Sequence, residues 1–474
     1  MWPQWVAMSN TIDADYTKQW LFPPSLEDLI PEDHPARMVR EFVDALDMRS
    51  LGFPVSDGGR DGRPHYSESL LAKAWLYGYM TKTRSCRALE RACMEQVGML
   101  WLTGMRSPDH TTLWRFWNNN QKGIRQLFRR LLRVAVSMNL VGMVLHAVDG
   151  TKIGSAASRD KGLHRTTLEK NLKGLDEAIE QILKETAEAG EGEFGCRLPE
   201  KLQKKEQLKK EIEAKLKKLD EADRDHFQAG DPEARMMKGR RNTFFAYNAQ
   251  AGVDEESRLV VAADVVTDES DNHQMTPMLD QIEDNIGKTA EESAFDAGYV
   301  AIESLAKAEE NGRGVIMPLN EADGPYAASR FVYDAEKDQC ICPRGETLEF
   351  ETTKKRDKAQ PYAVRVYRCG QYASCPVRAQ CCSGSGGRTV QIHPHYEVLV
   401  KHREKMKDPT MRQALKKRGV IIESLFGWIK EGMGFRRWTV RSLEKVRTQW
   451  LMMCTAVNML RLQNAWRAGK LVFG

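Results

Sequence analysis

Long hydrophobic runs are missing from this chain. No apolar stretch approaches the roughly 18 residues that a membrane-spanning helix needs, so no membrane partner is expected. Residues 1–16 carry no basic stretch followed by an apolar one and do not read as a secretory signal, and Met8 is an equally good start. The expected location is the cytoplasm. No glycine-rich loop opens a helix after a strand, which removes the usual cradle for nucleotide phosphates. Cysteines are few and unevenly spread: six of the ten fall between Cys340 and Cys382. Cysteines crowded into one segment of a cytoplasmic protein point to metal binding before disulfides.

What is present describes a folded chain. Hydrophobic residues make up 41% and charged residues 29% of the 474, a balance typical of globular and not of disordered proteins. That length implies two to four structural units. The formal net charge of +5 conceals a basic C-terminal block, with 17 Lys and Arg against 5 Asp and Glu from Lys401 to Gly474. Such a block suits a polyanion, because each neutralised phosphate releases condensed counterions. A solvated basic helix face is the competing reading.

Residues from about 20 to 140 read as helical, with three- and four-residue apolar spacing in 69–80 and 87–102. Ser85 is the expected N-cap of the second segment. A further helix starts at 108–111 and runs into the basic stretch 123–138. Short helices with outward Arg and Lys suit a DNA-binding bundle, and equally a structural one. The pattern then changes to a strand over 141–153, a hairpin of strands 243–254 and 258–268, a helix over 273–286, a strand over 292–300, a helix over 301–312 and a strand over 314–320. This is a mixed α/β order. Two inserts interrupt it. In the first, 155–240, Leu168, Leu172, Leu175, Ile179 and Ile182 form one seam and Leu208, Ile212, Leu216 and Leu219 another, which predicts an antiparallel helical hairpin broken at 189–195. The second, 321–400, holds the cysteine cluster. Helices over 407–433 and 443–469 end the chain.

Three acids stand out. Asp149 and Asp296 each sit where an apolar strand gives way to a turn, and Glu423 interrupts a strongly apolar helix between Ile422 and Leu425. Residues 423, 427 and 430 share one helix face. Gly427 in mid-helix costs about 1 kcal/mol against Ala, which close approach of another backbone or a ligand would explain. Phosphodiester cleavage needs an activated nucleophile and a stabilised leaving oxygen. Two Mg²⁺ ions supply both, and they prefer hard oxygen ligands. Taken singly, each acid reads as a surface residue at an element's end. His146 and His110 read as structural histidines, and Trp428, Trp438 and Trp450 as core packing before base stacking.

Residues 22–31 with Asp33-His34, residues 108–116, Ala147-Val148-Asp149-Gly150-Thr151-Lys152, residues 231–235, Tyr247-Asn248-Ala249-Gln250, Asp296-Ala297-Gly298-Tyr299 and Glu423 through Lys430 with 434–438 and Arg441 occur in one order. In that order they resemble a bacterial insertion-sequence DDE transposase, of the RNase H-like, retroviral-integrase superfamily. The resemblance implies an RNase H-like mixed-sheet α/β core, an N-terminal all-α domain over 1–140 that binds DNA, and a catalytic domain over 141–474 with the helical-hairpin and Cys-rich inserts. It implies metal-dependent cleavage at element ends and transfer of the 3′-hydroxyl into target DNA. Asp149, Asp296 and Glu423 would hold two Mg²⁺ or Mn²⁺ ions. Lys430 would contact DNA phosphate, with Arg418, Arg436, Arg437, Arg441 and Lys152 as further DNA contacts. Double-stranded DNA, as terminal inverted repeats and target, is the implied partner, with a homo-oligomer and a nucleoid-associated cytoplasmic location. One departure is visible. Related chains place Tyr and Arg seven and four residues before the glutamate, where this one has Lys416 and Gly419, with Arg418 one residue out of place. A catalytically inactive DNA-binding descendant and a non-transposing metal-dependent nuclease are the alternatives.

The cysteine segment has the look of a zinc ribbon or knuckle, without the tight C-x2-C of related transposases. Cys342, Cys369, Cys375 and Cys381 form the favoured set for one structural Zn²⁺, since four thiolates in tetrahedral array would fold a small polar insert. Reduced thiols in a relic of such a site are the other reading.

Overall fold

The computed structural model describes residues 25–54, 65–158, 162–188, 200–239, 242–319, 322, 324–355, 362–382 and 386–469, with the side chains of 185–188, 200 and 201 left aside. The family-like residues 22–24 and the expected helix break at 189–195 lie outside the described residues. The chain divides into two compact units, Met1–Asn119 with Gln463–Gly474, and Asn120–Leu462.

The first unit is helical: α1 (Pro35–Asp44), α2 (Glu68–Met80), α3 (Cys86–Glu95), α4 (Val97–Thr103) and α5 (His110–Asn119). Ser85 caps α3 as expected, its hydroxyl accepting from the Ala88 amide at 3.2 Å. Trp117 packs on Trp75 and Tyr79, with ring centroids 4.6 and 5.9 Å apart. The segment 87–102, read as one periodic stretch, is two helices. Gln96 between them is extended at φ −95°, ψ 120°. The change of direction lets Met99, Trp101 and Leu102 of α4 all be buried, which the half-exposed face of α3 could not offer. The stretch from 108 to 138 also divides, at Asn120.

The second unit begins with α6 (Gln121–Ser137). It continues through β1 (Leu145–Gly154), β2 (Gly162–His164), α7 (Arg165–Glu188), α8 (Glu200–Glu221), β3 (His226–Gln228), β4 (Arg235–Lys238), β5 (Thr243–Asp254), β6 (Val260–Val266), α9 (Met275–Ile286), β7 (Glu292–Ala294), α10 (Ile302–Glu310) and β8 (Val315–Ile316). The main sheet runs β4-β5-β1-β7-β8, with β6 also paired to β5. β1 is antiparallel to β5 and parallel to β7. β5 is buried on both faces from Phe245 to Asp254, as is β1 from Leu145 to Val148. The exposed backbone edge of β6 is closed by α14 (Leu443–Arg467). There the Asn458 amide donates to the Val260 carbonyl at 2.9 Å and accepts from its N–H at 2.8 Å. With the helical N-terminal unit, this mixed, curled sheet is an RNase H-like α/β architecture.

The helical hairpin forms between α7 and α8, sealed by Leu168, Ile212 and Leu219 with Leu172, Leu175 and Leu216 against them. Its antiparallel sense is set at the root, where Arg165 starting α7 pairs with Asp220 near the end of α8 at 2.8 Å. The cysteine segment is a five-stranded antiparallel sheet of β9 (Val332–Asp334), β10 (Gln339–Ile341), β11 (Thr347–Lys354), β12 (Val364–Cys369) and β13 (Thr389–Ile392), with the short α11 (Arg378–Cys381). After α12 (Tyr396–Lys405), α13 (Pro409–Gly427) lies against β1 and β5 and ends in a π-helical turn, Trp428–Gly432.

Candidate active site

Strand pairing positions the first two acids. Ala147 of β1 is in register with Ala294 of β7, in parallel. Two residues further along each chain stand Asp149, midway along β1 and not at its end as expected because β1 stays paired with β5 as far as Gly154, and Asp296, just past the end of β7. The strand expected over 292–300 stops at Ala294, because Asp296 caps a tight turn, Ala297–Tyr299, its Oδ1 accepting from the Gly298 amide at 2.8 Å. That bond holds the carboxylate at the strand end.

Asp149 is mostly buried. Its Oδ1 accepts from the Gly150 amide at 2.7 Å, and its Oδ2 accepts from Arg418 Nη1 of α13 at 2.8 Å. Burial pushes its carboxyl above the usual range; the Arg418 charge opposes that and the Asp296 charge adds to it. The two carboxylates thus share one field, with a guanidinium already seated on one of them.

Glu423 lies on α13, which buries Ile421, Ile422, Leu425 and Phe426. Glu423 itself is exposed. Among the described residues no three His, Cys, Asp or Glu side chains close on a common metal-sized centre. The structure brings Asp149, Asp296 and Arg418 into one electrostatic group, with Glu423 five residues beyond Arg418 on the same helix. Close packing does not explain Gly427, since a Cβ built there meets nothing within 4 Å. It stands instead where α13 passes into the π-helical turn. Lys430 in that turn donates to Thr151 Oγ1 of β1 at 2.5 Å.

Lys152, Lys430, Arg436 and Arg437 line one cleft of about 440 Å³ beside the end of β1, together with Phe244 and His164. Their roles in it differ. Arg437 is spent on backbone, donating to the carbonyls of Ser155 at 2.7 Å, Ala156 at 3.3 Å and Ala157. Lys152 donates to the Glu269 carbonyl at 2.5 Å, and Arg436, with an exposed guanidinium, pairs with Glu431. Arg441 is exposed. Trp438 and Trp450 are buried in the core, and His146 is buried with its Nε2 on the Gly142 carbonyl at 3.2 Å.

Cys342, Cys369, Cys375 and Cys381 line a second cavity, of about 210 Å³, in the cysteine segment, and no three of them close on a metal-sized centre. Cys340 faces the other way, into the core with Leu348 and Tyr367, where burial pushes its thiol up to about 12.

Sequence reasoning missed a polar group beside the acids. Asp271, in the connection from β6 to α9, accepts on Oδ1 from both Asn248 Nδ2 and Gln250 Nε2, at 2.6 Å each. The one signal was the pair of amides at alternate positions of an otherwise apolar strand.

Two family models match. One, described as a transposase DDE domain, covers residues 341–463; the other, described as a transposase domain, covers residues 24–119. Together the two matches indicate an insertion-sequence DDE transposase. The first match spans Glu423, Lys430, Arg436, Arg437 and Arg441 of this chain, while Asp149 and Asp296 lie outside both matches. No curated protein and no solved structure gives a significant match. Transposases act on DNA, which supports DNA as a partner, and the DDE transposase family generally uses divalent metal. Among the described residues no helix is long and apolar enough to cross a membrane.

Proposed function

We propose that this transposase cuts DNA at the ends of its element and joins the freed 3′-hydroxyl to target DNA, with Mg²⁺ or Mn²⁺ held by Asp149, Asp296 and Glu423. One observation carries the reading: Asp149 and Asp296 each lie two residues beyond the parallel Ala147–Ala294 pair of adjacent strands, and a cation, the Arg418 guanidinium, already sits on Asp149. Hard carboxylate oxygens in that arrangement suit a divalent ion. Two such ions, when bound, supply an activated oxygen nucleophile and neutralise the leaving oxygen. The remaining work falls to the chain. Arg418 exchanges Asp149 for a DNA phosphate, and Glu423, five residues on, completes the acid set. Lys430, Lys152, Arg436 and Arg441 contact the backbone of the DNA, and Arg437 braces the cleft wall.

In this reading residues 1–140 recognise the element ends and 141–474 perform the chemistry, with 155–240 and 321–400 as inserts. A homo-oligomer handles two ends together. One structural Zn²⁺ sits among Cys342, Cys369, Cys375 and Cys381, whose shared cavity supports it. The test is incubation with Mg²⁺ or Mn²⁺ and DNA bearing the flanking inverted repeats, beside Asp149→Asn. End cleavage with strand transfer, lost in the variant, supports the transposase. Cleavage at any site makes it a nuclease, and binding without cleavage an inactive descendant.

A further inference from the structure

Asp271 lies outside every motif and outside both family matches. Its surroundings are nonetheless tightly specified. A carboxylate can only accept, so Asn248 and Gln250 must both turn their NH₂ groups toward it. That fixes Gln250 Oε1 on the opposite side, where it accepts from the phenol of Tyr299. Tyr299 is fully buried and ends the turn that Asp296 caps. At the other end of the group stands Gly150, next in sequence to Asp149. A Cβ there would lie 2.4 Å from Gln250 Nε2 and 2.8 Å from both Asn248 Oδ1 and Asp271 Oδ1. Asn248 is fully buried, and its Oδ1, aimed at this same point, has no hydrogen-bond partner among the described residues. The chain of contacts therefore touches the backbone beside each of the two acids. The phenol feels all three carboxylates: burial raises its pKa first, and the charges of Asp271, Asp149 and Asp296 raise it further.

We propose that Asp271 is a positioning residue for the Asp149–Asp296 pair, acting through Gln250 on Tyr299 and through the close packing on Gly150. Asp271 sets the direction of the Gln250 amide, the amide holds the phenol, and the phenol holds the turn whose Gly298 amide orients Asp296. Supporting groups of this kind tune a metal site as its ligands do, and their loss typically costs about 10–100-fold in metal affinity. The inference rests on the reading that this pair binds divalent ions.

The test is direct Mn²⁺ binding to the full chain without DNA, read from the electron paramagnetic resonance of free Mn²⁺. Asp149→Asn defines the site, and thermal melting confirms that each variant is folded. Tyr299→Phe, which keeps the ring and removes only the donor, and Asp271→Ala should each weaken Asp149-dependent binding about tenfold. Asp271→Asn, whose amide oxygen can still accept from Gln250, should recover most of the loss. Wild-type affinity in both Tyr299→Phe and Asp271→Ala overturns the proposal. So does an Asp271→Asn variant as weak as Asp271→Ala, which would make Asp271 a ligand by charge. If the wild type itself has no binding that Asp149→Asn removes, the metal reading falls first and the positioning role with it.

Discussion

The guanidinium of Arg418 rests on Asp149 at 2.8 Å, on the carboxylate oxygen that faces away from the Gly150 amide. A cation from α13 thus occupies the acid that a divalent ion would need. An opposite charge in contact shifts a carboxylate by about 1–3 pKa units, so its competition with a metal is worth about tenfold or more.

Arg418→Ala should therefore tighten Mn²⁺ binding in the absence of DNA by about tenfold, while DNA cleavage falls because a phosphate contact is lost. The pH dependence follows from the raised carboxyl of Asp149. A group whose folded pKa lies above its unfolded one stabilises the fold fully below the unfolded value. That contribution is lost as pH rises through the folded value. Mn²⁺ affinity should accordingly begin to fail on acidification above the ordinary Asp value of about 3.9, and at higher pH still in Arg418→Ala. Titration of Mn²⁺ affinity against pH in both proteins checks this; weaker binding in Arg418→Ala would contradict it.

Gly150→Ala has no free space to enter. Its Cβ meets Gln250 Nε2 at 2.4 Å within a group that is hydrogen-bonded on its other side. Overpacking of this kind costs about 1–3 kcal/mol, read as a lowered melting temperature. An unchanged melting temperature would mean that the amides rearrange freely.

The cleft cations should separate into two classes. Lys430→Ala and Lys152→Ala should weaken DNA binding to all sequences, each lowering the slope of log affinity against log salt by about 0.9 per phosphate lost. Arg437→Ala removes bonds to three backbone carbonyls and should lower the melting temperature instead. Fluorescence anisotropy across a salt series, beside thermal melts, distinguishes them.

Much of the fold was legible because its signals are local. The apolar runs of β1 and β5, the leucine seams of α7 and α8, and the Ser85 cap each state their element within a few residues. The breaks at Gln96 and Asn120 were not, since they follow from where the helices must bury their faces. At the site, Asp149 and Asp296 were visible as acids following apolar residues, and residue order gave them meaning, although β1 continues past Asp149 to Gly154. Asp271 was invisible: it lies in a polar connection, and only the folding of β6 back along β5 brings it to Asn248 and Gln250. Nor could sequence show that α13 presents Arg418 to Asp149.

The cysteines offer an independent check on the zinc reading. Purified without chelator, the chain should carry about one zinc by mass spectrometry, the stoichiometry of a four-thiolate site, and Cys375→Ser should abolish it. Cys340→Ser should keep the zinc and lose stability, because Cys340 is buried in the sheet's core. Metal-free wild-type protein would dismiss the zinc.

The central claim is that Asp149 and Asp296 anchor DNA chemistry, and end-specific cleavage measures it most directly. Given Mg²⁺ and DNA carrying the flanking inverted repeats, the wild type should cut at the repeat ends and transfer the 3′-hydroxyl. Asp149→Asn and Asp296→Asn should bind the same DNA and leave it whole. Cleavage that survives in either variant would contradict the account.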